Sequence, residues 1–164
     1  MHVREATLDD VPAIRDVARE TWHAAHDEII GADAVDAQVD EWYAPDQVAT
    51  GVTREAWPYL VAERGGAVVG YAAGGPTDDG PADAAVTSIY VRPAHWGQGG
   101  GTELLGTLHD RLRGLGCESV WLAVLAGNDV GRSFYDDHGY EVHEERTAEV
   151  GGVEADELIL RRPL

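Results

Sequence analysis

The sequence contains no lysine, a single cysteine and no long apolar run. Cys117 alone cannot form an intrachain disulfide or a cluster of metal-binding thiolates, and such cysteine usage is typical of the cytoplasm. Every apolar run is far shorter than the roughly 18 residues that cross a membrane. The polar N-terminus "MHVREATLDD" is also unlike a secretory signal. We therefore expect a cytoplasmic protein with no membrane partner.

Acidic residues dominate the charge of the chain. Asp and Glu number 30 against 12 arginines, which gives a formal net charge of -18. Such a surface repels polyanions, so we expect no nucleic-acid partner. The acidic residues are spread along the chain instead of forming a tail. Because the screening length falls to about 3 Å in molar salt, this composition favours a protein of a salt-accumulating halophile, with an acidic mesophilic protein as the alternative.

The chain of 164 residues, 44% of them hydrophobic, is large enough for the core of one domain. We therefore predict a single domain over 1–164. Hydrophobic periodicity predicts, in order, a strand, helices, three strands, a helix, a strand, a helix and two strands. This order indicates a mixed α/β (α+β) fold. The uninterrupted apolar strand "SVWLAVL" is expected to be buried on both faces.

Turn residues and helical spacing refine this prediction. Two hairpins are expected to turn at Gly65-Gly66 and at Gly151-Gly152. The segment 29–57 predicts one or two short helices with loops at Gly31 and Gly51. The helix "TELLGTLHDRLRGLG" places five leucines on one buried face: Leu104, Leu105, Leu108, Leu112 and Leu115.

The segment "YVRPAHWGQGGGTELL" has glycine at four of the five positions from Gly97 to Gly101. A helix that begins at such a turn leaves unpaired backbone N–H groups, which together with the helix dipole form an anion site. The alternative is a helix start that only needs flexibility, for which one glycine would suffice. A P-loop is excluded because it needs a lysine, and the spacing of the glycines does not fit a dinucleotide fingerprint.

A second motif, "NDVGRSFYDDHGYE", predicts a short helix. Asn128, Gly131 and Tyr135 lie at i, i+3 and i+7 and so share one face of it. The small residue between two polar ones leaves room for a ligand across that face. Asn128 is alternatively a plain N-cap, and Tyr135 a half-buried core aromatic beside Phe134.

The segments "SIYVRPAHWGQGGGTELL" and "NDVGRSFYDDHGYE" together resemble the GNAT N-acetyltransferase superfamily, and the resemblance covers nearly the whole chain. It implies a GNAT-like fold, a central and mostly antiparallel mixed sheet of about seven strands, partly splayed and flanked by helices. It implies acetyl-CoA as co-substrate, no metal, and a possible homodimer. Trp96 stands where the family has arginine or glutamine, which removes one possible phosphate contact.

The resemblance also implies roles for individual residues. The glycine turn would hold the pyrophosphate, backbone groups of the preceding strand would bind pantetheine and polarise the thioester, and Asn128 would bind pantetheine. Tyr135 would be the general acid that protonates the departing thiolate, and Arg132 would meet a CoA phosphate or face solvent. The expected cofactor-binding set is Ile89, Tyr90, Val91, Gly97, Gln98, Gly99, Gly100, Gly101, Thr102, Asn128 and Arg132.

The general base has no clear candidate in this sequence. Related sequences often carry a glutamate at the start of the strand before the glycine turn, and Ala85 stands there. The remaining candidates are Asp83, Glu20, His23 and His26, or a chain of water molecules.

Other side chains allow more than one interpretation. His23 and His26 have the spacing of two ligands of one metal, but no third ligand follows, so helix-surface histidines are favoured. Trp22, Trp42 and Trp57 line an acceptor pocket or fill the core.

The predicted function is acetyl transfer from acetyl-CoA to a primary amine by direct attack. The alternative is a non-catalytic acyl-CoA-binding or regulatory module, supported by the missing glutamate. Acyl transfer to a hydroxyl is a third option. The acceptor, a small molecule or a peptide amine, is not specified by the sequence.

Overall fold

The computed structural model describes residues 1–164 and contains seven strands and five α-helices. The strands are β1 (His2–Glu5), β2 (Tyr59–Arg64), β3 (Ala67–Pro76), β4 (Ala84–Val91), β5 (Ser119–Leu125), β6 (Glu141–Val150) and β7 (Val153–Pro163). The helices are α1 (Val11–Ile30), α2 (Ala32–Trp42), α3 (Pro45–Thr53), α4 (Gly100–Gly114) and α5 (Asp129–Asp137). No helix combines the length and the hydropathy needed to cross a membrane.

All seven strands form one sheet in the order β1-β2-β3-β4-β5-β7-β6. Every neighbouring pair is antiparallel except β4 and β5. These two strands pair only at Ala84 with Val120 and at Ala85 with Trp121, and then diverge. The mixed, partly splayed sheet is therefore confirmed, and the splay lies between β4 and β5.

Helices cover both faces of this sheet. On one face, α4 buries Leu104, Leu105, Leu108 and Leu112 completely, as the spacing predicts. Each such side chain stabilises the fold by about 1.5–3 kcal/mol. The fifth leucine of the predicted face, Leu115, is wrongly placed by the periodicity. It is 43% exposed, because the helix ends at Gly114 and the chain turns away.

Both predicted hairpin turns are confirmed, since the four glycines at 65–66 and 151–152 all have positive φ. The segment 29–57 forms two helices, α2 and α3, with Gly31 between α1 and α2. The loop expected at Gly51 is wrong, because Gly51 lies inside α3. A Cβ there would come within 3.1 Å of the Tyr59 ring, so this glycine allows close packing and does not mark a turn.

The expectation that β5 is buried on both faces is also wrong. Val120, Leu122, Val124 and Leu125 are buried, but Ala123 is exposed. The splay explains the difference, because β5 lacks a neighbour on the β4 side beyond Trp121. One flank of β5 therefore faces open space.

Candidate active site

A cavity of about 1080 Å³ opens where β4 and β5 diverge. Its wall extends from the glycine turn before α4, along β4 and the start of α5, to aromatic side chains of α1, α2 and β2. The cavity is at the upper end of the size range of small-molecule sites. We call the part at the glycine turn the cofactor end and the part at the aromatic side chains the acceptor end.

At the cofactor end, the turn into α4 presents unpaired backbone donors. Gly99 is the N-cap residue in the left-handed conformation, with φ of 84°. The first bond of the helix runs from the Glu103 N–H to the Gly99 carbonyl at 3.0 Å. The N–H groups of Gly100, Gly101 and Thr102 therefore have no acceptor within the chain, and together with the helix dipole they form an anion site.

The four glycines also have conformational or packing roles. Gly97 and Gly99 have positive φ, at which any other residue is strained. A Cβ at Gly100 would lie 2.7 Å from the Met1 sulfur, and one at Gly101 would lie 3.1 Å from the Phe134 ring. The glycine run alone thus does not prove a ligand. The free N–H groups are the observation that points to an anion.

Two side chains of the turn make hydrogen bonds within the chain. The Trp96 indole N–H donates to the Val91 carbonyl at 2.6 Å, which ties the turn to the end of β4. Gln98 is exposed, accepts a hydrogen bond from Arg64 and does not line the cavity.

Along β4, the backbone N–H and C=O groups of alternate residues face the gap between β4 and β5. The Arg92 N–H donates to the Val69 carbonyl of β3 at 2.8 Å. Because the direction alternates along a strand, the Tyr90 backbone also faces β3, whereas that of Ile89 and Val91 faces the gap. Tyr90 instead contributes its ring, 6.1 Å from that of Trp22. Of the three predicted backbone contacts, the register therefore favours Ile89 and the Val91 N–H.

The N-cap and the body of α5 bring Asn128 and Tyr135, respectively, to the same cavity. The Asn128 Oδ1 accepts from the Gly131 N–H at 3.0 Å, so this residue is the N-cap of α5, and its NH₂ group has no acceptor within the chain. Burial raises the pKa of the Tyr135 phenol, which keeps this side chain protonated and able to donate. Asn128 is thus an N-cap, and its free NH₂ group also leaves it able to bind a ligand.

Two further members of the predicted set make hydrogen bonds within the chain. Thr102 lines the cavity, and its hydroxyl lies 3.0 Å from the His138 Nε2. Arg132 donates to the Ala126 carbonyl at 3.0 Å and does not line the cavity. A contact of Arg132 with a phosphate would require this bond to open.

Three of the candidate bases lie outside the cavity. Glu20 forms an ion pair with Arg92. Asp83 accepts from the N–H groups of Glu118 and Ser119 at 3.0 and 2.8 Å, which lowers its pKa to about 2. Its role is to join the loop before β4 to the start of β5.

His23 is the third. It lies between Asp27 at 2.6 Å and Asp36 at 2.8 Å, and these carboxylates raise its pKa. The structure brings together no group of three or more His, Cys, Asp or Glu side chains that could hold a metal ion. His23 and His26 have different surroundings and do not form a pair.

His26 is the candidate that does line the cavity. Its ring lies 4.4 Å from that of Trp22, it is 3% exposed, and burial lowers its pKa to about 4. The imidazole is therefore neutral at pH 7. Ala85, at the position where related sequences carry glutamate, also lines the cavity and contributes only a methyl group.

Aromatic side chains form the wall of the acceptor end. Trp22 and Trp42 meet edge to face at 5.7 Å, and Trp57 lies against Gly75 of β3, where any Cβ would overlap its ring. The aromatic residues that line this end are Trp22, Trp42, Tyr43, Trp57, Tyr59, Tyr90 and Trp121. The tryptophans of the sequence prediction thus face the cavity, although Trp22 is also part of a core cluster.

Sequence analysis did not identify four acidic side chains that line the cavity: Glu28, Asp79, Asp129 and Glu157. Glu157 is only 9% exposed, and its Oε1 accepts from the Arg146 Nε at 2.6 Å. No arginine is among the lining residues. In a chain with 30 acidic residues, no local pattern distinguishes these four from the others.

Residues 14–140 match the family model described as "Acetyltransferase (GNAT) family". The L-methionine sulfoximine/L-methionine sulfone acetyltransferase of Salmonella typhimurium is 32% identical over 103 residues, which is 62% of this chain and 57% of that protein. The match thus spans little more than half the length of that relative.

Solved structures of similar fold cover the whole chain. The PaiA N-acetyltransferase of Thermoplasma acidophilum in complex with coenzyme A superposes with a TM-score of 0.85 at 20% identity, over 99% of this chain and 98% of that one. YncA of Salmonella typhimurium, described as an acetyltransferase with its cofactor acetyl-CoA, gives 0.70 at 26% identity, over 100% and 94%.

Proposed function

Since this chain belongs to the acetyltransferase (GNAT) family, we propose that it transfers an acetyl group from acetyl-CoA to a primary amine. The observation that carries this proposal is one cavity lined both by the unpaired N–H groups of the glycine turn and by Tyr135. An anion site and a proton donor in the same cavity are what acyl transfer from a phosphate-bearing thioester needs.

The cofactor would bind mainly through the backbone. The N–H groups of Gly100, Gly101 and Thr102 would donate to its pyrophosphate. Hydrogen bonds to a charged group contribute about 1.5–3 kcal/mol each. Three of them outweigh the repulsion from an acidic but distant surface. The Asn128 NH₂ group and the gap-facing backbone of Ile89 would bind the pantetheine arm.

Acetyl-CoA supplies the thioester carbonyl that the amine attacks. The Val91 N–H, which faces the gap, is placed to donate to the carbonyl oxygen as negative charge develops on it. Tyr135 holds the proton that the departing thiolate needs, and its raised pKa keeps that proton in place at neutral pH. His26, neutral at pH 7, would accept a hydrogen bond from the amine, and water would carry the amine proton away.

A second candidate function is a non-catalytic module that binds acyl-CoA. Ala85 favours it, because no carboxylate replaces the missing glutamate on β4. Both candidates require cofactor binding, and only the enzyme requires Tyr135 as a donor.

The experiment that separates them follows release of CoA thiol from acetyl-CoA in the presence of primary amines. For the enzyme, we expect Tyr135→Phe to lower kcat about 100-fold or more while the Kd of acetyl-CoA stays the same. Tyr140→Phe is the matched control, because Tyr140 is buried, bonds His109 at 2.7 Å and lies outside the cavity. Cofactor binding without turnover in the native protein would instead support the binding module.

A further inference from the structure

The lining of the cavity combines acidic and aromatic side chains and includes no arginine. We propose that the acceptor is a cationic amine with an apolar or aromatic body and no carboxylate. This inference rests on the proposed acetyltransferase function and specifies its second substrate.

The first argument is the charge of the lining. Glu28, Asp79, Asp129 and Glu157 all line the cavity, and the chain has no lysine. Arg146 binds only the Oε1 of Glu157, and the Oε2 makes no hydrogen bond within the chain. Glu157 is largely buried and its second carboxylate oxygen is free to accept a hydrogen bond, so this side chain favours a cationic ligand over an anionic one.

The second argument is that the lining of the cavity would repel a carboxylate. A free amino acid would place its negative group among acidic side chains, where no guanidinium is available to bind it. The guanidinium of Arg54 lies 4.0 Å from the Trp57 ring centre. Arg54 is exposed and does not line the cavity. The lining therefore disfavours the charge that every free amino acid carries.

The third argument is the aromatic wall. The faces of tryptophan and tyrosine attract an ammonium group through their quadrupoles and also bury an apolar body. Trp22, Trp42 and Trp57 are thus suited to an amine whose carbon skeleton is apolar. The Salmonella relative is named for L-methionine sulfoximine and L-methionine sulfone, which both carry a carboxylate. We infer that this chain differs from that relative in its acceptor.

Matched pairs of acceptors test the inference directly. Each pair differs only in the carboxylate: tryptamine and tryptophan, tyramine and tyrosine, 3-(methylthio)propylamine and methionine. Tryptophanamide serves as the control with a neutral carboxamide at the same position. We expect kcat/KM to be at least about 100-fold higher for each amine than for its amino acid, and tryptophanamide to rank with the amines. That ratio corresponds to two tenfold steps in transition-state binding.

Substitution of individual acidic residues of the lining tests which of them attract the amine. Glu157→Gln keeps an acceptor for Arg146 but removes the charge, and we expect it to raise the KM of tryptamine about tenfold with the Kd of acetyl-CoA unchanged. Glu154→Gln, at an exposed position of the same strand, is the control. Asp79→Asn provides a second variant in case Glu157→Gln folds poorly.

The possible failures are distinguishable because acetyl-CoA is titrated into the same protein first. Absence of cofactor binding would overturn the proposed function, and this inference with it. Cofactor binding with amino acids preferred over their amines would overturn only the assignment of the acceptor. If protein that binds acetyl-CoA acetylated none of these compounds, the result would favour the binding module over the enzyme and would overturn this inference with it.

Discussion

In our proposal, the two ends of the cavity recognise their ligands by different means. At the cofactor end, the unpaired backbone N–H groups of Gly100, Gly101 and Thr102 are the proposed donors, and no arginine lines the wall. At the acceptor end, side chains from α1, α2, β2 and β7 form the proposed binding surface. Recognition by backbone leaves a local signature in the sequence, because the turn must have a particular conformation. Recognition by side chains leaves no local signature, because the residues come from segments that are far apart in the sequence.

Two buried histidines, one in the cavity and one outside it, make the stability depend on pH. His26 lines the acceptor end and His109 lies on α4 away from the cavity, and burial lowers the pKa of both to about 4. Below pH 6.5 the unfolded chain binds protons that the folded chain does not accept until near pH 4. The free energy of unfolding therefore falls as the pH drops from 6.5 to 4, by on the order of a few kcal/mol.

The measurement is the urea midpoint at pH 4.5 and 7.5. His26→Leu and His109→Leu should each flatten the difference between the two pH values, and His143→Leu, exposed on β6, should leave it unchanged. His23 works in the opposite direction, since its pKa is raised and its contribution is lost as pH rises. An undiminished pH difference in both leucine variants would refute the account.

Added salt should change the Kd of acetyl-CoA and the KM of the amine in opposite directions. The net charge of -18 repels the polyanionic cofactor and attracts a cationic amine, and added salt screens both interactions. From about 0.1 M to 1 M KCl, we expect the Kd of acetyl-CoA to fall severalfold and the KM of the amine to rise severalfold. The same series tests our proposal of a salt-adapted protein, for which the unfolding temperature should rise with KCl. If both constants moved in the same direction, the electrostatic contrast between the ends would be wrong.

The smallest expected effect concerns the gap that joins the two ends. Asp83 binds the N–H groups of Glu118 and Ser119, and so holds β5 against β4 just before the strands diverge. Its lowered pKa means that this stabilisation is present above pH 3.8 and is lost as pH falls through about 2. Asp83→Asn should lower the urea midpoint slightly at pH 7. Asp78→Asn, at an exposed position of the same loop, should not; equal effects would argue against the anchoring role.

Local patterns predicted much of the fold. Paired glycines located both hairpin turns because positive φ favours glycine. The 3.6-residue repeat located the buried face of α4. The same reasoning failed at Gly51 and Leu115, where contact with Tyr59 and the end of the helix decided the outcome.

The candidate site was predictable where it depends on backbone conformation. The glycine turn and the helix face from Asn128 to Tyr135 were identified from local motifs and from the family resemblance that these motifs carry. Glu157 was not, because it reaches the cavity only through the pairing of β7 with β5. The splay itself follows from strand order, which sequence periodicity does not specify.

The central claim is that the turn before α4 binds the cofactor through its backbone. Calorimetric titration of the native protein and of Gly99→Val with acetyl-CoA in molar KCl tests it most directly. Gly66→Val is the control, because Gly66 has φ of 81° and open space around it at a distant hairpin turn, so it carries the same backbone strain. We predict binding by the native protein and by Gly66→Val, and at least a 100-fold loss of affinity, about 2.7 kcal/mol, in Gly99→Val. Equal affinity in all three proteins, or no binding by the folded native protein, would contradict the claim.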